Sequence, residues 1–137
     1  IVHIYKSNSQ TFRQKVLNVN VNGAKQFEVN AAQKVKEYAA QYPETDWILQ
    51  YSPECFSATA LEIAKEVCAA VTEIGEARPD HKDILNLQAT VEVSTTNDYA
   101  DHTEWMLRNL ARRDHVIISV NCHNDHRWAI AASELSI

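Results

Sequence analysis

The chain has 137 residues, of which 45% are hydrophobic and 23% charged, with a net charge of −5. That composition supports one ordinary core, and the acidic balance excludes a phosphate-backbone binder, so no nucleic-acid partner is expected. No run approaches the roughly 18 apolar residues of a membrane span, and the three cysteines, Cys55, Cys68 and Cys122, form no CxxC pair, which fits a reducing, cytoplasmic setting better than a disulfide framework.

In chain order, the first strand is expected at Ile1–Tyr5. A helix over Ala24–Tyr42 follows, with Ala24, Phe27, Ala31, Val35, Tyr38, Ala39 and Tyr42 near a 3.6 period. Trp47–Tyr51 reads as the second strand. Ser57 caps a helix to about Ile74 whose stripe is Ala60, Ala64, Val67, Cys68, Val71 and Ile74, and Gly75 stops it. Ile84–Val93, or its first half, is the third strand. Thr96 or Asn97 caps a third helix to about Arg113, with Tyr99, Met106 and Leu110 inward. Val116–Val120 is the fourth strand, and a fourth helix runs from near Asp125 to the end. The arginines at 108, 112 and 113 read as a solvated face among acidic neighbours.

Four βα units in succession imply a parallel sheet with helices outside it. Either an open doubly wound sheet or part of a (β/α)8 barrel fits, and a whole barrel takes about 250 residues. Residue parity favours the barrel. His3, Tyr5 and Ser7, then Gln50, Ser52 and Glu54, then Asn86, Gln88, Thr90 and Glu92, then Ser119, Asn121 and His123 each share one face of a strand. The opposite parity holds Ile4, Leu49, Leu85, Leu87, Ile118 and Val120. A strand covered by helices on both faces is apolar on both. Polar rows near the carboxyl ends suit a barrel mouth, so the expected architecture is α/β, about half of a TIM barrel over residues 1–137, with no second domain. The opening run IVHIY lacks an initiator Met and AIAASELSI ends mid-helix, which fits an excised segment.

Several residues on these rows can carry chemistry. Asn121 and His123 present an amide oxygen and an imidazole at i and i+2, which could both reach one ion, although two ligands do not complete a site. Glu54 is a candidate general base or a helix-entry acid; Thr90 can hydrogen-bond a carboxylate or simply water. Cys122, of opposite parity, is expected to point away from Asn121 and His123, and Cys122 and Cys68 are taken as core residues. Nothing near Ser7 or Ser9 suggests a catalytic triad.

The blocks VHIYKSNS, WILQYSPECFS, LNLQATVEVSTTNDYADHTEWM and RRDHVIISVNCHNDHRWAIAASEL resemble four successive blocks of 2-isopropylmalate synthase, most of all its long actinobacterial and fungal form, in the DRE-TIM metallolyase superfamily. The resemblance implies strands four to seven of a (β/α)8 barrel that condenses acetyl-CoA with 2-oxoisovalerate, an early step of leucine biosynthesis. It implies a divalent metal, Mg, Mn or Zn, as Lewis acid. By this resemblance His123 is a metal ligand, and Asn121 stands where the family has another histidine. Thr90 contacts the oxo-acid carboxylate and counts as catalytic with Glu54, while Ser52, Asn86 and Thr90 bind substrate. Lys6, Asn8, Gln88, Thr96, His126 and Arg127 depart from the usual motifs, and the first- and eighth-strand motifs of the family do not occur in these residues. The expectation is a chain inactive in isolation. It would self-associate as a homo-oligomer or pair with the rest of a barrel. The alternatives are a non-catalytic half-barrel or binding scaffold, and a homocitrate or citramalate synthase-like enzyme. A fungal parent would place it in mitochondria.

Overall fold

The structure is a computed structural model and describes residues 1–137. Four strands, β1 (Val2–Ser7), β2 (Leu49–Glu54), β3 (Asp83–Ala89) and β4 (Val116–Cys122), form one parallel sheet in the order β1-β2-β3-β4. Between and after them lie α1 (Val21–Ala39), α2 (Leu61–Gly75), α3 (Thr96–Asn109) and α4 (Ala129–Leu135). Right-handed crossovers between sequential neighbours put every connecting helix on the same side of a sheet. This is the arrangement of successive βα units in part of a TIM barrel.

The register aligns the polar rows. His3 pairs with Gln50, Tyr5 with Ser52, Ser7 with Glu54, Asn86 with Ser119 and Gln88 with Asn121. The opposite face carries Leu49, Tyr51, Leu85, Leu87 and Val116, all buried against Ala64, Val67, Cys68, Val71 and Met106 of the helices. The helix-free face keeps Tyr5 and Ile117 exposed.

Several expected boundaries move, each for a local reason. The second strand starts at Leu49 and continues through Pro53, where β2 is paired with β1 but its recorded pairing with β3 covers only Gln50 and Tyr51; a residue without N–H is tolerated where no ladder bond is required of it. The third strand ends at Ala89, because Val91 takes a left-handed φ of 60° that no ladder accommodates. Ser57 is no helix cap. It lies in a one-turn helix, Phe56–Ala58, its Oγ buried without a partner, and α2 starts after Ala60. Glu76, not Gly75, takes the left-handed position that ends α2.

Thr95, one residue before the expected cap, closes a capping box with Asp98, and α3 stops at Asn109. The fourth helix begins at Ala129 rather than near Asp125. The buried stripe of α1 is Ala24, Glu28 and Ala32, leaving Phe27 and Tyr38 exposed, so the helix is turned by about one residue from its expected apolar face.

Candidate active site at the carboxyl ends of the strands

Three strands bring one polar chain together. Asn86 Nδ2 on β3 donates to Ser52 Oγ on β2 at 3.0 Å, and Ser52 Oγ lies 2.7 Å from His3 Nε2 on β1. Ser52 and Asn86 are buried, while His3 is exposed. The contact follows from parity: each of the three points to the helix-free face, at neighbouring positions of the register. With His3 neutral and protonated at Nδ1, the serine hydroxyl donates to Nε2 and accepts from Asn86, so all three groups are fixed by one another. The sequence places His3 in the right row without assigning it a role. Its alignment one strand from Ser52 was the available signal.

Glu54 ends β2 opposite Ser7, half-buried. The next residue, Cys55, is left-handed at φ 53° and donates its N–H to Thr90 Oγ1 at 3.0 Å. Thr90 thus clamps the turn that carries Glu54, and its own hydroxyl proton remains free to donate. Two adjoining strand ends, after β2 and after β3, carry left-handed non-glycine residues, a conformation that persists only where surrounding contacts enforce it.

His123 is held differently from expectation. The ladder ends at Ala89–Cys122, so strict alternation does not extend to His123. Cys122 and His123 both line one narrow pocket with Tyr99 and Trp128. Val91 N–H donates to His123 Nδ1 at 3.2 Å, so the neutral ring carries its proton on Nε2. Asp125 Oδ2 is 3.9 Å from that same Nδ1. Glu92 accepts from the backbone N–H groups of His126 and Trp128, which ties the loop after β3 to the turn before α4.

These residues do not fit a divalent metal by themselves. One His123 nitrogen receives an amide and the other carries the proton, Asn121 is exposed, and no three His, Cys, Asp or Glu side chains in the chain converge. Ser52 and Asn86 are joined as neutral hydrogen-bonding groups, and Thr90 holds the turn that follows Glu54. No helix of the structure is long and apolar enough to cross a membrane.

Comparison with known proteins agrees with this geometry. The HMGL-like family matches residues 1–137. The chain is 58% identical over its full length to 2-isopropylmalate synthase of Pseudomonas putida strain W619, of which it covers 25%. It is 56% identical to that of Pseudomonas entomophila strain L48, covering 25% of it, and 52% identical to that of Ralstonia pickettii strain 12J, covering 24%. The chain thus spans about a quarter of the length of these relatives. It belongs to the HMGL-like family of the DRE-TIM superfamily.

Proposed function

We propose that these four βα units are part of the catalytic barrel of a 2-isopropylmalate synthase, which joins the acetyl group of acetyl-CoA to 2-oxoisovalerate. The observation that carries the reading is the turn at the carboxyl end of β2, where Thr90 Oγ1 holds Cys55 N–H next to Glu54, with the buried Ser52–Asn86 pair earlier on the same strands. Barrels of this type build their sites there. A 2-oxo acid offers a carboxylate and a carbonyl, both acceptors. The free Thr90 hydroxyl and the second Asn86 amide proton are donors for them, and His3 and Ser52 hold the geometry. In this reading Glu54 removes a proton from the acetyl methyl.

The donors in this chain do not complete a metal site, so no step is routed through a metal here. The isolated chain is accordingly inactive. A coupled assay of CoA release from acetyl-CoA with 2-oxoisovalerate checks this, with turnover by the chain alone as the contrary result. The positive test is a chimera in which this chain replaces the matching quarter of the Pseudomonas putida enzyme. CoA release that depends on both substrates, and falls at least tenfold on Ser52→Ala, supports the reading; a folded chimera without it, even after Asn121→His, overturns it.

We further propose that the free edges of β1 and β4 pair with other strands, those of a longer chain or of a second copy. Unpaired strand edges invite such pairing.

A further inference from the structure

At the amino ends of the strands, the end opposite Glu54 and Thr90, lies a cavity of about 90 Å³ beneath α1 and α2. Its walls are apolar, with Val2, Val35, Ala39, Trp47 and Leu49 around it. Its one acidic side chain is Asp83, the first residue of β3, which is only 3% exposed. Asp83 Oδ2 has no hydrogen-bond donor.

Gly75 makes room for that oxygen, since a Cβ there would stand 2.2 Å from Oδ2. Either the carboxylate must turn or the helix end must shift if any other residue occupies the position. Burial pushes the Asp83 carboxyl up to about 6, against the opposing pull of the Leu49 amide and of His81.

A buried carboxylate oxygen without a donor is costly unless something supplies one. The neighbouring cationic side chains are already engaged. Lys36, which also lines the cavity, holds Glu76 at 2.5 Å, and His81 Nε2 lies 2.9 Å from Asp46 Oδ1. The walls are hydrocarbon, so the fitting guest has a cationic donor at one end and a short alkyl chain at the other. A second, almost wholly apolar cleft adjoins the first, sharing Val2, Val35, Ala39 and Trp47 and adding Tyr38 and Tyr42. Trp47 Nε1 donates to Tyr42 O at 3.1 Å, which fixes the indole where the two spaces meet. An aromatic face there also favours a cation passing over it.

We infer that this cavity is a binding site for a small primary alkylammonium, its NH3+ group on Asp83 Oδ2 and its alkyl tail along Trp47 toward the second cleft. Neither the condensation chemistry at the carboxyl ends of the strands nor any residue that serves it takes part.

The probe is n-butylammonium chloride, titrated calorimetrically into the chain at pH 7.5, with n-butanol as the uncharged analogue of the same shape. Binding in the millimolar range is expected, at least tenfold tighter than n-butanol, or about 1.4 kcal/mol. Asp83→Asn keeps the shape, removes the charge and is expected to lose at least that factor, its fold checked by circular dichroism. In the unaltered chain the affinity should rise between pH 5 and pH 7 as the Asp83 carboxyl, raised to about 6, ionises; Lys36 and His81 are the other charged or titratable side chains near it. The inference is overturned if no heat is seen up to about 50 mM, if n-butanol binds equally well, or if the affinity is flat across that pH range.

Discussion

Ser52 touches two side chains from two neighbouring strands, so removing its hydroxyl strands both. Ser52→Ala leaves the buried Asn86 Nδ2 without its acceptor, at a cost of about 1–3 kcal/mol, read as a lower urea midpoint with an unchanged slope. Glu28 carries the pH dependence. It is 2% exposed, and its Oε1 has no donor. Burial pushes its carboxyl up to about 7, Lys6 pulls it down and Glu54 pushes it up. The folded chain therefore binds that proton more tightly than the unfolded one, whose carboxyl titrates near 4.5. This contribution is complete below about 4.5 and is lost as pH rises through about 7. Asp83, raised to about 6, acts in the same direction. Glu28→Gln should thus gain on the parent between pH 5 and pH 8 by up to about 3 kcal/mol in urea unfolding, and an advantage that shrinks over that interval would contradict the assignment. At His123, titration with Mn or Zn is expected to give binding weaker than about micromolar, because the side chains of one strand end leave most of the coordination sphere to water. Asn121→His should tighten it, and submicromolar affinity in the unaltered chain would show that the donor set is more complete than His123 and Asn121.

The helices differ in how well their residues announced them. In α2 the stripe Ala64, Val67, Cys68 and Val71 is both the periodic one and the buried one, since every stripe position is apolar and nothing competes. In α1 the competing pattern won on paper and lost in the fold. Phe27 and Tyr38 mark an apolar stripe, but the face that packs inward carries Glu28, buried near Tyr51, whose Oη accepts from Asn8 Nδ2 at 2.9 Å. Periodicity counts apolar residues and is blind to a buried polar partner, which is why the rotation of α1 was not legible. The α3 terminus was legible in kind and missed by a residue: TTND offers adjacent caps, and only Thr95 has an acid at the third helical position. Thr95→Ala removes the half in which the hydroxyl accepts from Asp98 N–H and leaves the backbone N–H of residue 95 donating to the Asp98 carboxylate. It should cost about 1 kcal/mol and speed amide exchange in the first turn of α3, whereas Thr96→Ala should change little.

Across the whole molecule, strand order and parity were the legible part, because a two-residue period survives small errors in strand ends. The site was legible to the extent that it lies on those rows. Ser52 and Asn86 could be named, whereas the clamp of Thr90 on Cys55 and the amide held by His123 depend on left-handed turns that no residue pattern marks. The same topology sets the association behaviour. With the order β1-β2-β3-β4, β1 and β4 each pair on one side only. Tyr5, 63% exposed on β1, and Ile117, 51% exposed on β4, add apolar surface to the helix-free face beside those edges, and Ile130 of α4 is 76% exposed. Negative charge does not protect the edges, since Lys6 is the one charged side chain on β1 and β4 has none. The chain alone should therefore form dimers or larger species at about 100 µM in light scattering, through β1-to-β4 contacts. Ile117→Lys places a charge on the open face without disturbing the buried one. It should shift the population toward monomer at nearly unchanged stability, because the side chain leaves no cavity behind. A chain that stays monomeric at that concentration has edges that repel rather than recruit, and the pairing proposed for β1 and β4 would fail with it.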